Sequence, residues 1–211
     1  MRDSDVLSLQ AWRDSWHAMG ADAVDEDVHR QLLTRYTEPQ RKYHTSQHLA
    51  ECFERLREAT HEAQRPGEVS VALWFHDAVY DPKRHDNEQQ SADWGRDAIL
   101  SAGLPSEVAA RVHALIMATR HDAVPIDHDA QLVVDVDLSI LGAPAARFDE
   151  YERQVREEYR WVPGILFRRT RRKILEQFLE RPRIYQTGHF FEAYEEAARA
   201  NLTRSLGALT A

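Results

Sequence analysis

His76 and Asp77 are the residues best suited to chemistry, because they follow an unbroken apolar run, VALWF, at residues 71–75. A carboxylate carried into a protein interior needs a hydrogen-bond partner, an ion pair or a metal, since an unpaired buried charge is costly. His48 precedes this pair in the chain, and Asp137 follows it in the apolar stretch VVDVDLSILG. Imidazole and carboxylate together suit divalent ions such as Mn²⁺, Fe²⁺, Co²⁺, Ni²⁺ and Zn²⁺. These four side chains predict a divalent metal site.

The elements that carry these residues must bring them together. Neighbouring residues on a helix project about 100° apart, so His76 and Asp77 can share an ion only at the edge of their helix. Other helices must complete the set of ligands, and His48 and Asp137 are placed to do so. His44 lies four residues before His48 and would share its helical face. Either histidine could be the first ligand, and we favour His48.

Helical periodicity runs through nearly the whole chain. One helix is predicted to begin near Thr45 or Ser46, which both cap well, and to present an apolar face formed by Leu49, Cys52, Phe53 and Leu56. This face starts directly after His48, which supports His48 as the ligand. Only QLVVDVDLSIL, at residues 131–141, could pass for a strand. The sequence therefore predicts one all-α domain.

A second choice concerns Asp135 and Asp137, which occupy alternate positions of that ambiguous stretch. We favour Asp137 as the ligand and expect Asp135 to hydrogen-bond a ligand from behind. Cys52 is the only cysteine of the chain and adjoins Phe53 on an apolar face, so we interpret it as a core residue.

Composition limits the classes of function. The 211 residues carry a net charge of −8, and 43% of them are hydrophobic. An acidic chain argues against an extended nucleic-acid footprint, which needs many phosphate contacts. Residues 147–183 are the exception, with eleven Arg and Lys against seven Asp and Glu. They could hold a small phosphorylated ligand.

Three features of the sequence bear on the cellular compartment of the protein. No window approaches eighteen apolar residues, so no membrane span is expected. The start, MRDSDVLSLQ, has no basic and apolar pattern of a secretory signal. A single cysteine fits a reducing compartment. We expect a cytoplasmic protein that could form a homodimer.

Four motifs together resemble the HD superfamily, in particular a bacterial subfamily of predicted metal-dependent phosphohydrolases. They are YHTSQHLAECF, WFHDAVYDPKRHDNEQQSA, DVDLSILGAP and RPRIYQTGHF. The similarity covers about residues 36–190, within a single HD-type domain of residues 1–211 that has helical extensions at both ends. It implies a helical bundle around one divalent ion, or two, chosen from Mn, Mg, Co, Ni, Fe and Zn. The ligands that it implies are His48, His76, Asp77 and Asp137.

The resemblance also implies catalytic roles near these ligands. Asp77 would orient the attacking water, and Glu88 would act as a general acid or base. The alternative for Glu88 is local, because it also complements the dipole of a helix capped by Asp86 or Asn87. His121 would bind a second metal or donate to a phosphate oxygen.

Further residues could hold the substrate. Arg120, next to His121, could bind a phosphate, although a cationic pair at a helix end also has a structural use. His44 is the other candidate near the metal. The cluster FRRTRRK at residues 167–173 is interpreted first as a solvated face, with Arg168 and Arg169 as its candidates for a phosphate contact.

Two smaller expectations complete the set of residues. Tyr185, in the last motif, is predicted to help bind the substrate. Arg171, in the middle of the basic cluster, is expected to be replaceable by alanine with little effect.

The leading hypothesis is a phosphohydrolase that acts on a small phosphorylated substrate, for which a nucleotide is the first choice. An HD-fold di-iron oxygenase is the alternative enzyme and would recruit His44, His113 and His121. A non-catalytic HD scaffold or ligand-binding protein is the third hypothesis.

Overall fold

The computed structural model describes residues 6–210, and over this range the chain forms ten α-helices and no strand. The helices α1 to α10 are Leu9–His17, Glu26–Arg35, Ser46–Ala59, Pro66–Phe75, Asn87–Ser101, Ser106–Ala118, His128–Asp137, Ala145–Glu158, Gly164–Glu180 and Gly188–Thr210. Short 3₁₀ helices cover Thr60–Glu62 and Leu138–Gly142. The prediction of an all-α protein is confirmed. The ends of the predicted domain, residues 1–5 and 211, lie outside the described part.

Helix α4 forms the centre of the core. It is apolar on all sides, and residues 71–75 are fully buried. A helix without a polar face must be surrounded by other elements. Helices α1, α3, α5, α6 and α7 all pack against it. Gly67 permits the contact with α1, because a Cβ atom there would lie 2.7 Å from the main chain of Ala18 and Met19.

Local signals set the boundaries of the helices that carry the predicted ligands. Thr45 caps α3, and its side chain accepts a hydrogen bond from the Gln47 amide. The predicted start of this helix is therefore confirmed. The ambiguous stretch at residues 131–141 is helical, as α7 followed by a 3₁₀ turn, and Asp127 caps it. Helix α7 is almost wholly buried and carries apolar residues on all sides, so its sequence shows no clear helical alternation of apolar and polar residues.

Arg41 joins the segment before α3 to the turn after α4. Its buried guanidinium donates hydrogen bonds to the carbonyl oxygens of Asp77 at 2.7 Å, Ala78 at 3.1 Å and His44 at 3.1 Å. A side chain with five N–H donors can hold several carbonyls at once. Arg41 thereby fixes the position of the main chain on both sides of the candidate site.

Within residues 6–210, none of the helices has both the length and the apolar character needed to cross a bilayer.

Candidate metal centre

Three helix ends carry the four predicted ligands. His48 lies in the first turn of α3, His76 and Asp77 follow the last residue of α4, and Asp137 is the last residue of α7. Ends of helices meet at this point because α3 and α7 both pack on α4 and on each other. Residues that are far apart in sequence thus share one small volume.

The ligand atoms lie at mutual distances that suit a shared ion. His48 Nε2 is 3.2 Å from His76 Nε2, 3.1 Å from Asp137 Oδ1 and 3.6 Å from Asp77 Oδ2. His76 Nε2 is 3.2 Å from Asp77 Oδ2 and 3.7 Å from Asp137 Oδ1. Ligands about 2.1 Å from an ion are about 3.0 Å apart in an octahedron and about 3.4 Å apart in a tetrahedron. The residues present therefore fit a divalent metal.

The protonation of His76 also suits this role. Its Nδ1 lies 2.8 Å from the Leu73 carbonyl oxygen, to which it donates. In the neutral imidazole this hydrogen bond keeps the proton on Nδ1 and the lone pair on Nε2, which faces His48 and both carboxylates. Metal-binding histidines usually have such a partner on the second nitrogen, because it fixes the tautomer and the ring orientation.

Cys52 adds a sulfur to the same region. Its Sγ, with atoms of His48, His76 and Asp137, belongs to a group whose members lie within 4.8 Å of one another and could hold a metal. The Sγ is 3.7 Å from both Nδ1 and Nε2 of His48. A sulfur equidistant from both nitrogens lies over the face of the ring, because in the ring plane it would collide with Cε1. An ion on the Nε2 lone pair lies in that plane, so Asp77 is better placed than Cys52 as the fourth ligand.

Charges among the candidate ligands compensate one another. Burial alone would raise the pKa of Asp77, but the charges of His76, His44 and His48 and the hydrogen bond from His76 together outweigh burial and hold this pKa well below its usual range. The pKa of Asp137 is also held low, by hydrogen bonds from His121 and His48 that outweigh burial. Burial would lower the pKa of His76, yet the Asp77 carboxylate raises it to about 9. The proton on His76 Nε2 therefore lies between this nitrogen and the Asp77 carboxylate, where a metal ion would otherwise bind.

His44 and His48 have different partners. His44 Nδ1 lies 2.8 Å from Glu158 Oε2, and its ring stacks on Tyr80 with centroids 4.2 Å apart. It therefore stands beside the ligand atoms of His48 and Asp77 and is not one of them. The preference for His48 agrees with this geometry.

Asp137, and not Asp135, faces the cluster. Asp135 accepts hydrogen bonds from the Gln186 and Thr187 amides and from the Thr187 hydroxyl, at 2.7–3.1 Å. These donors precede α10, so Asp135 holds that helix in place. The expectation that Asp135 hydrogen-bonds a metal ligand is wrong, since its oxygens are occupied on the opposite side of α7.

His121 lies next to Asp137, with its Nε2 3.2 Å from Asp137 Oδ2. Its backbone has a φ of 57°, which is unusual for a residue other than glycine and costs on the order of 1 kcal/mol or more. Within the described part of the chain its buried Nδ1 has no hydrogen-bond partner. His121 is thus held in a strained position beside the candidate ligands.

A cavity of about 860 Å³ opens over the two carboxylates. It is lined by Asp77 and Asp137 together with the other predicted polar residues near the metal, namely His44, Glu88, Arg120 and His121. Glu88 lies in the first turn of α5. Asp86 is a predicted cap of α5, but its side chain makes no capping hydrogen bond. The side chain of Asn87, the other predicted cap, accepts a hydrogen bond from the Asp81 amide and donates one to the Asp81 carbonyl oxygen.

Three predicted substrate contacts are not at this cavity. Arg168 and Arg169 are exposed and do not line it. Tyr185 is fully buried, and its hydroxyl donates to the Leu138 carbonyl at 2.9 Å and accepts from the Gly142 amide at 3.1 Å. The predicted contacts of these three residues with a substrate in this cavity are therefore corrected. The Tyr185 hydroxyl instead holds the turn that follows Asp137.

Arg171 is the arginine of the basic cluster that turns inward. It is buried, lines the cavity, donates to the Tyr151 hydroxyl at 2.8 Å and pairs with Glu152. These contacts argue against the expectation that its replacement by alanine has little effect, which stays a prediction. Its loss would remove the cation paired with Glu152, which would keep the hydrogen bond from the Ser205 hydroxyl, and would open a void under α9.

Glu158 is the main residue that the sequence did not reveal. Its fully buried carboxylate accepts hydrogen bonds from the amides of residues 42–44, from His44 Nδ1 and from the Tyr80 hydroxyl, all at 2.7–3.0 Å. Burial would raise the pKa of Glu158, but His44 and these amides lower it to about 2. In the sequence it is one of several glutamates on a charged helix, so no local signal distinguishes it.

His113 lies on α6 and faces α5, where its Nε2 is 3.2 Å from Gln89 Nε2 and 3.3 Å from Asp93 Oδ1. It does not line the cavity. Of the three extra histidines that a di-iron site would recruit, His121 makes a polar contact with the candidate ligand Asp137, and His44 packs edge-to-face on the ring of His48 with centroids 6.0 Å apart.

The fold and the site define this chain as an all-α protein with a candidate metal centre at the base of a cavity. Neither family models, nor curated proteins, nor solved structures give a match to it. The inference of function consequently rests on the site itself.

Proposed function

We propose that the protein is a metal-dependent phosphohydrolase of the HD type, which hydrolyses a phosphate ester or anhydride of a small substrate. The observation that carries the proposal is that two imidazole nitrogens, 3.2 Å apart, each lie 3.1–3.7 Å from the same two carboxylate oxygens, at the base of a cavity. Such a set of donors favours Mn²⁺, Fe²⁺, Co²⁺, Ni²⁺ or Zn²⁺.

His48, His76, Asp77 and Asp137 would hold the ion. When bound, the ion supplies an acidified water and a Lewis acid for a phosphoryl oxygen. Asp77 also reaches the cavity, with 16% of its side chain exposed, and is assigned to orient the attacking water. Glu88 faces the same space and is assigned to proton transfer.

His44 is assigned to the phosphate. Its Nδ1 is held by Glu158, and the ring lines the cavity with 23% of the side chain exposed. Burial would lower the pKa of His44, but the carboxylates of Glu158, Asp77 and Asp137 together outweigh burial and raise it. A protonated imidazole with one nitrogen occupied presents its other N–H as a charge-assisted donor.

Arg120 and His121 complete the polar side of the cavity. Arg120 pairs with Asp122 at 3.2 Å, and 41% of its side chain is exposed. It is free to exchange this surface pair for a phosphate, because an exposed ion pair contributes little. The assignment of a nucleotide as the substrate stays a prediction.

A turnover screen tests the proposal. The tag-free protein is stripped of metal, reloaded separately with Mn²⁺, Co²⁺, Ni²⁺, Zn²⁺ or Mg²⁺, and assayed on 4-nitrophenyl phosphate and on nucleoside mono- and triphosphates. Asp77→Ala, purified in parallel, measures contaminating phosphatases. We expect turnover with at least one ion in the wild type only. Equal rates in both proteins with every ion would overturn the proposal.

A further inference from the structure

The cavity has two chemically different sides. One side holds the candidate ligands with His44, Glu88, Arg120 and His121, and every ionisable group assigned to the reaction lies there. The other side is formed by α8, α9 and the turn after α7. Its surface is largely apolar and includes Leu141, Val155, Phe167, Ile174, Leu175 and Phe178.

Charge on the apolar side is already neutralised. Arg171 is the cation there, and it is committed to the Tyr151 hydroxyl and to Glu152. The other arginines that line the cavity, Arg84 and Arg120, lie at the polar side, next to Asp86 and Asp122. A second phosphate on the apolar side would therefore lack a partner.

The hydrogen-bonding capacity of the apolar side is also small. Apart from the Arg171–Tyr151 pair, its side-chain donors are the hydroxyl groups of Tyr159 and Thr170 and the indole of the half-exposed Trp161. A nucleobase that is buried without partners for its amide and amino groups loses affinity, because each unsatisfied polar group is costly. An alkyl chain or an aromatic ring has no such requirement.

We propose that the substrate is a phosphate monoester of an apolar alcohol, whose hydrocarbon part lies against the apolar side formed by α8 and α9. This inference rests on the proposed phosphohydrolase function. It narrows the substrate class and ranks nucleotides below alkyl and aryl phosphates. The size of the cavity, about 860 Å³, leaves room for such a group beyond the phosphate.

A series of linear alkyl phosphates tests the inference. Methyl, butyl, hexyl and octyl phosphate have leaving groups of nearly equal pKa, so chain length changes binding and leaves the chemistry constant. With the protein loaded with its most active ion, we expect kcat/KM to rise by up to about fourfold for each added methylene until the chain fills the cavity. Octyl phosphate should be a better substrate than adenosine monophosphate.

Two variants on α9 provide a matched pair. Ile174 lines the cavity and is 36% exposed, so Ile174→Asp is expected to fold and to flatten the dependence on chain length. Ile165 is 74% exposed on the same helix and does not line the cavity. Ile165→Asp should keep the wild-type dependence.

The outcomes separate this inference from the function on which it rests. Turnover that does not depend on chain length, or a preference for adenosine monophosphate over octyl phosphate, would overturn the inference and leave the phosphohydrolase function intact. If no ester is hydrolysed, calorimetry with methyl-, hexyl- and octylphosphonate decides. Affinity that grows with the chain would then support the ligand class without the reaction, and affinity that does not grow would overturn the inference too.

Discussion

Asp135 and Asp137 lie on the same helix, yet they serve two different regions of the molecule. Asp135 accepts its hydrogen bonds from amides and a hydroxyl at the junction of α7 with α10. Asp137 has the side chains of His48 and His121 as partners at the metal centre. Asp135 is fully buried, whereas 15% of the Asp137 side chain remains exposed.

Other carboxylates follow the same division. Glu158 and Asp129 accept main-chain hydrogen bonds from residues 42–44 and 64–65, and Glu195 accepts them from residues 184–185. Amide donors belong to the fold and satisfy a carboxylate permanently. At the metal centre the partners of Asp77 and Asp137 are imidazoles, which can exchange a proton for a metal. A carboxylate that accepts main-chain amides, as Glu158 does in addition to His44, is thus structural, whereas the side chains of the candidate ligands Asp77 and Asp137 have imidazole partners.

The largest expected effect is the loss of metal-dependent stabilisation in Asp77→Ala. An ion at 1,000 times its Kd stabilises a protein by about 4 kcal/mol, because it binds only the folded state. The Tm of the wild type should rise on addition of the best-binding ion, and that of Asp77→Ala should not. Differential scanning fluorimetry measures both.

The control for this experiment is Asp97→Ala, which alters an exposed surface carboxylate and should keep the full rise. An equal rise in Asp77→Ala would show that the ion binds elsewhere.

Asp135→Ala should have the opposite profile. Its removal leaves the Gln186 and Thr187 amides without an acceptor, which costs on the order of 3 kcal/mol of unfolding free energy. Urea denaturation of the metal-free protein measures this loss. The affinity of Asp135→Ala for metal should stay close to that of the wild type. An affinity as low as that of Asp77→Ala would contradict the division into structural carboxylates and candidate metal ligands.

The pH dependence of metal binding sharpens the comparison further. The Asp77 carboxylate holds the pKa of His76 at about 9, against its ordinary value near 6.5. A proton on His76 must leave before an ion binds, so the apparent affinity should rise by about tenfold per pH unit between about pH 6.5 and 8.5. Calorimetry in buffers of different ionisation enthalpy should detect the released proton, and an affinity independent of pH would exclude this competition.

The same protonation affects the metal-free fold. Because the pKa of His76 is raised by folding, its contribution to stability is complete below about pH 6.5 and is lost as the pH rises through 9. The Tm of the metal-free protein should therefore fall over that range.

The smallest effect is expected for Cys52→Ser. Because the sulfur lies over the face of His48, the affinity for metal should change by less than about threefold. The Co²⁺-loaded wild type should show no thiolate-to-metal charge-transfer band in the near ultraviolet. A band that is present in the wild type and absent from Cys52→Ser would show that Cys52 is a metal ligand.

The sequence predicts the residues of the metal centre better than it predicts their surroundings. The helical register that starts at Thr45 selects His48, and the apolar run before His76 places that residue and Asp77 in the core. Asp135 and Asp137 share one apolar context, and only the position of residues 186–187 distinguishes them. Glu158 has its donors at residues 42–44, so tertiary packing alone identifies it.

The measurement that tests the central claim most directly is elemental analysis of three tag-free proteins purified in parallel: wild type, Asp137→Asn and Asp135→Asn. After dialysis against Mn²⁺, Co²⁺ and Zn²⁺ in turn, we predict about one equivalent of metal per chain in the wild type and in Asp135→Asn, and none in Asp137→Asn. Circular dichroism confirms that each protein is folded. Metal retained by Asp137→Asn, or absent from the wild type with every ion, would contradict the account.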